Sequence, residues 1–111
     1  MKLNHVKVTD QELAHVRKIA GEVARIVRSV TGDPSFRVRL FGSWASGKAR
    51  PHSDIDIAID GPRPVDPMQM AEIREACDRL PTLFTIDVVD LTKAARDFRE
   101  AVRRQTGLAD S

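Results

Sequence analysis

Phe41-Gly42-Ser43-Trp44-Ala45-Ser46-Gly47-Lys48-Ala49-Arg50-Pro51-His52-Ser53-Asp54-Ile55-Asp56-Ile57-Ala58-Ile59-Asp60 is the stretch on which the fold turns. A Gly-Ser turn leaves one apolar strand, and two aspartates sit at the head of the next. Asp54 and Asp56 alternate with Ile55, Ile57 and Ile59, so an extended chain sends both carboxylates to one face, roughly 6 to 7 Å apart. Strands disfavour Asp, and like charges on one face repel unless a cation lies between them. The pair therefore reads as a shared metal site rather than a solvated edge strand. Hard oxygen ligands select Mg²⁺, with Mn²⁺ as the substitute.

Working outward, Phe36, Val38 and Leu40 alternate with Arg37 and Arg39 in a first strand that ends at Gly42, and a short helical turn starts at Ser43. The second strand is expected from Asp54 to Ile59, closed by Asp60-Gly61-Pro62, and a third from Leu83 to Val89 with Asp87 in its middle. Before the first strand, Thr9 and Glu12 form a capping box, with Val8 and Leu13 as its staple. An apolar stripe from Leu13 to Val30 then runs at helical spacing until Gly32 and Asp33-Pro34 stop it. Asp66 caps a helix with Pro67 at its first position and Met70, Ile73, Ala76, Cys77 and Leu80 along one side, ended by Pro81. Thr92 caps a last helix with Ala95, Phe98 and Val102 inward, ending near Gly107. The order αβ(α)βαβα predicts an α/β domain, a small mixed sheet flanked by helices, with the last few residues disordered.

The 111 residues suit one domain, 1–111, that buries about two-thirds of its unfolded surface. Hydrophobic content of 41% with 31% charge is that of a globular chain. No apolar run approaches the roughly 18 residues of a membrane span, and the N-terminus lacks a secretory h-region, so a cytoplasmic protein is expected. The formal charge of +2, from 18 basic and 16 acidic residues, is too small to imply nucleic-acid binding, and no direct nucleic-acid contact is expected. Cys77, the single cysteine, has no disulfide partner and reads as a buried bystander.

Asp54 and Asp56 need a third carboxylate from a neighbouring strand to hold two divalent ions about 4 Å apart, and Asp87 supplies it. Such a site activates a hydroxyl for in-line attack on the α-phosphorus of a nucleoside triphosphate. Gly42 admits phosphate oxygens close to the backbone, and Ser43 offers a hydroxyl and an N–H. Lys48 and Ser53 are further candidate nucleotide contacts. Lys48 and Arg50 divide evenly between reaching phosphates and being solvated. His52 reads as a loop residue, Asp60 and Asp90 as turn and helix-entry residues, and Trp44 as packing, or else as stacking at the lip of the site. Gly42 to Lys48 also fits a P-loop, but Ala49 lacks the hydroxyl that pattern needs, and Ala-Arg-Pro-His-Ser replaces its helix.

The Gly-Ser turn, the spacer, the Asp-x-Asp strand and a third Asp on a later strand resemble the nucleotidyltransferase superfamily of the DNA polymerase beta type. Within it, the spacer and the short length resemble the minimal nucleotidyltransferases, or MNT proteins, paired with a HEPN-domain partner. The motif core spans residues 36–90. The resemblance implies a nucleotidyltransferase fold in which Gly42 and Ser43 hold the triphosphate of ATP and Asp54 and Asp56 ligate two Mg²⁺ ions. Asp87 would ligate one of them and assist deprotonation. It implies an antitoxin that transfers AMP to a tyrosine hydroxyl of a toxic HEPN partner in a hetero-oligomer, or one that neutralises the partner by binding alone. Larger members carry a domain for the acceptor. Here the acceptor is expected from another molecule, since this sequence has no Tyr. Members often have Arg where this chain has Trp44 and Ser46.

Overall fold

The computed structural model describes residues 8–105. They form α1 (Asp10–Thr31), β1 (Arg37–Phe41), α2 (Ser43–Ser46), β2 (Ile55–Asp60), α3 (Pro67–Asp78), β3 (Ile86–Asp90), a 3₁₀ turn (Leu91–Lys93) and α4 (Arg96–Gln105). The expected end of the last helix near Gly107 and the disorder expected of the final residues lie outside the described residues. Among those described, no helix is long and apolar enough to cross a membrane.

The helix ends follow from side chains that satisfy the N–H groups a helix leaves without partners. Thr9 Oγ1 accepts the Glu12 N–H at 3.0 Å, and Glu12 Oε1 accepts the Thr9 N–H at 3.0 Å, completing the capping box. Gly32, at φ 66°, closes α1 in the left-handed conformation. The Asp66 side chain accepts from the Met68 and Gln69 N–H groups at the start of α3, with Pro67 in the first turn.

The sheet runs β1-β2-β3, with β1 antiparallel to β2 and β2 parallel to β3. The register aligns Leu40, Ile57 and Val88 on one face, and Phe41, Asp56 and Asp87 on the other. The first face is the core: Ile55, Ile57, Ile59, Val38 and Val88 are buried with Val16, Ile19, Val23 and Val27 of α1 and Met70, Ile73 and Cys77 of α3. Burying each of the larger side chains contributes about 1.5–3 kcal/mol, which makes this face the main support of the fold. The second face carries a smaller cluster in which Val102 of α4 joins Ala58 and Leu91, flanked by Phe41, Val89 and Ala94. α4 thus covers one end of that face.

Several boundaries differ from the sequence expectations, among them the end of α3 at Asp78 rather than beside Pro81, and three differences at element starts have a visible cause. β2 begins at Ile55, whose N–H bonds to Thr85 O at 2.8 Å, so Asp54 stands just before the first rung of the ladder. β3 begins at Ile86 rather than Leu83, because the Thr82 hydroxyl accepts the Phe84 N–H and turns the chain there, leaving the Leu83 side chain wholly in solvent. The last helix begins at Arg96 because Asp90 takes both the Thr92 N–H and the Thr92 hydroxyl, winding a 3₁₀ turn first. Of Ala95, Phe98 and Val102, all expected inward, only Val102 is buried: Ala95 is exposed and precedes the helix, and Phe98 is exposed and meets Phe41 edge to face at 5.5 Å.

Candidate active site

Phe41 hands the chain to Gly42, whose φ of 74° and ψ of −151° form a backbone conformation essentially reserved for glycine. A Cβ at Gly42 would also collide with the Asp56 carboxylate. Glycine therefore lets the turn lie directly against that acid. The Gly42 carbonyl accepts the Ala45 and Ser46 N–H groups at 3.2 and 3.0 Å, and Gly47, at φ 78°, ends α2 after one turn. A helical turn cannot itself satisfy its first N–H groups, here those of Ser43 and Trp44.

Residues 47–52 are not helical, so the helix a P-loop requires after its lysine is missing, and Lys48 stands exposed on this connection. Arg50 to Ser53 make a β-turn: the Ser53 N–H reaches Arg50 O at 3.0 Å, with Pro51 second and His52 third at φ 73°. The Ser53 hydroxyl accepts the Arg50 N–H at 2.9 Å, and the Ser53 carbonyl accepts the Trp44 Nε1–H at 2.9 Å. Ser53 is thus engaged inside the loop. Of the two readings of Trp44, packing is the one observed: the indole is buried and meets Phe84 edge to face at 5.5 Å.

Asp56 and Asp87 are register partners on adjacent parallel strands and share a face, while Asp54 precedes Asp56 by one alternation. Asp56 is half-buried; Asp54 and Asp87 are exposed. Burial pushes the Asp56 carboxyl above the usual carboxylate range, and the charges of Asp87 and Asp54 push it the same way. Three acids thus act on one another at one end of this sheet face. Among the described residues, no three such side chains stand close enough together to hold an ion as they are now oriented. The donors fit a hard divalent ion in kind and in shared face.

At the other end of the face, Asp60 receives Arg39 Nε at 2.8 Å and a two-point contact from Arg103, with Nη2 at 2.8 Å and Nε at 3.1 Å. Burial raises the Asp60 carboxyl, but the hydrogen bonds and charges of Arg103 and Arg39 outweigh it and hold the group below its usual range. Asp90 accepts from Thr92 with one oxygen and from the Val65 N–H with the other. The Cys77 thiol is buried and pushed up to about 11 by desolvation and by Asp78, which makes it inert. Sequence reasoning missed the Arg103 clamp. Nothing local marks a pairing between residues 43 positions apart.

The family described as "Polymerase beta, Nucleotidyltransferase" matches residues 36–108. A curated relative from Haemophilus influenzae, named "Probable protein adenylyltransferase MntA", is 30% identical over 97 residues, covering 87% of this chain and 77% of that protein. A solved structure described as a minimal nucleotidyltransferase superposes with a TM-score of 0.64 at 25% identity, over 94% of this chain and 97% of that one. A crystal structure of a toxin–antitoxin with AMP-PNP has the same fold, with a TM-score of 0.58 at 24% identity over 84% of this chain and 71% of that one.

Proposed function

This chain belongs to the polymerase beta nucleotidyltransferase family, and from that premise we propose that it transfers AMP from ATP to a tyrosine hydroxyl of a HEPN-type toxin, as a cytoplasmic antitoxin. The observation that carries the reading is the row of Asp54, Asp56 and Asp87 on one sheet face, with the Gly42 backbone pressed against Asp56. The relative named as a protein adenylyltransferase and the toxin–antitoxin bound to AMP-PNP support the donor and the setting.

In the proposed reaction an acceptor oxygen forms a bond to the α-phosphorus of ATP, and the bond from that phosphorus to the β-phosphate bridging oxygen breaks. Pyrophosphate leaves with the electron pair. Bound Mg²⁺ supplies Lewis acidity and neutralises the triphosphate and the leaving group. Asp54, Asp56 and Asp87 are the residues that would hold it. Asp87, exposed at the open edge of the row, takes the acceptor's proton. The Gly42–Ser43 turn offers its first N–H groups and the Ser43 hydroxyl to the triphosphate. Lys48 reaches the phosphates from the exposed connection, and Ser53 acts through the loop that delivers Asp54.

The alternative reading is neutralisation of the partner by binding alone. Co-expression with a HEPN partner and intact mass measurement of that partner separates the two. Transfer predicts added adenylate with the wild-type chain and none with Asp54→Ala, Asp56→Ala. Full neutralisation by the double variant, with no adenylate ever appearing, would establish occlusion instead.

A further inference from the structure

Trp44 is the most buried side chain of the turn that follows β1, at 4% exposure, and it contacts Ser53 and Phe84, which lie on the approaches to Asp54 and Asp87. It directly follows Ser43. Its Nε1–H donates at 2.9 Å to the carbonyl of Ser53, the residue before Asp54. Its ring meets Phe84 at 5.5 Å and 88°, three residues before Asp87. Phe84 is itself held: its N–H donates to the Thr82 hydroxyl, which shares a 2.9 Å hydrogen bond with His15 Nε2, and the His15 ring lies 5.8 Å from the Phe84 ring. α1 therefore buttresses Phe84, against which the indole packs.

Asp54 stands just outside the β2 ladder, whose first rung is the Ile55 N–H to Thr85 O bond. The connection between Ser43 and Asp54 consists of one helical turn and one β-turn with His52 in the left-handed region. Such a connection has many conformations available; local hydrogen bonds order each turn, and the part-buried, directional bond from Trp44 to Ser53 ties its two ends together. We propose that Trp44 is a positioning residue: its indole holds the Ser43 turn, the Ser53–Asp54 strand entry and the approach to Asp87 in one register, and so sets the distance between the triphosphate-binding turn and the metal-binding acids. This rests on the nucleotidyltransferase reading of the site and adds to it the element that aligns its parts.

The chain has one Trp and no Tyr, so its intrinsic emission reports on this side chain alone. Titrating the full chain with AMP-PNP and Mg²⁺ should change Trp44 emission along the same isotherm that calorimetry records. Trp44→Phe keeps a ring against Phe84 and removes the Nε1–H. It should stay folded by circular dichroism, bind AMP-PNP about 10-fold more weakly, and need correspondingly more Mg²⁺ for half-saturation. A merely structural role would lower the melting temperature and leave the Mg²⁺ requirement where it was. Calorimetric binding with unchanged wild-type emission would overturn the proposal, and that arm decides the matter even if Trp44→Phe does not fold. Equal affinity and Mg²⁺ requirement in a folded Trp44→Phe would also overturn it, leaving the family reading intact. A wild-type chain that binds no AMP-PNP would remove the nucleotide site itself, and the proposal with it.

Discussion

Asp56 and Asp60 belong to the same short strand and the same face of the sheet, yet their surroundings are opposite. Asp60 is enclosed by Arg39 and Arg103, and its carboxyl is held below its usual range. Asp56 takes no hydrogen bond or ion pair from any described residue, faces Asp87 and Asp54, and is raised. A half-buried acid surrounded by acids costs stability, and the cation proposed to bind there would offset that cost. One end of the face fastens α4 through an acid paired with two cations; the other gathers the three acids proposed to hold a metal.

The sharpest way to break this contrast is Asp56→Ala. If the acidic end is the site, transfer should fall by on the order of 10³-fold or more in an adenylate-transfer assay, with circular dichroism unchanged. Asp60→Ala should leave the same assay within a few-fold. Gly42→Ala comes next: the conformation at φ 74° costs about 1–3 kcal/mol for a residue with a Cβ, and that Cβ must displace the Asp56 carboxylate. Calorimetry should show weakened AMP-PNP binding together with a lower melting temperature.

Arg103→Ala tests that fastening. Arg103 is half in solvent, so the loss is about 1 kcal/mol, or about 4 °C in melting temperature. It should vanish in acid. Because the folded-state pKa of Asp60 is depressed, the stability it contributes is present above its unfolded value of 3.8 and is lost as pH falls through the lower folded value. The difference between wild type and variant should therefore narrow below about pH 4. Asp56→Asn has the smallest expected effect and the opposite sign. A raised folded pKa means a destabilising contribution that is fully present above that pKa, so at pH 7 the metal-free variant should melt higher than wild type.

Much of this contrast could be read from the chain and part could not. The capping box at Thr9, the Gly32 stop and the Asp66-Pro67 start are local chemistry, and each is found in place. The alternation of Asp54 and Asp56 with isoleucines already put those acids on one face, because strand geometry has a period of two. Register is not local. That Asp87 falls opposite Asp56, and not one residue to either side, depends on Thr85 O meeting the Ile55 N–H, which alternation alone does not specify. Asp60 was readable as a turn residue only until Arg103, far along the chain, converted it into an anchor. The burial of Trp44 likewise depends on Phe84, brought to it by the crossover through α3.

The most direct test is anomalous scattering from Mn²⁺ in crystals of the full chain grown with AMP-PNP. The account predicts Mn²⁺ within about 2.0–2.3 Å of carboxylate oxygens of Asp54 and Asp56, with Asp87 turned toward the same centre and the triphosphate against the Gly42–Ser43 turn. Bound nucleotide with no Mn²⁺ at that row, or Mn²⁺ drawn instead to Asp60 or Asp90, would contradict it.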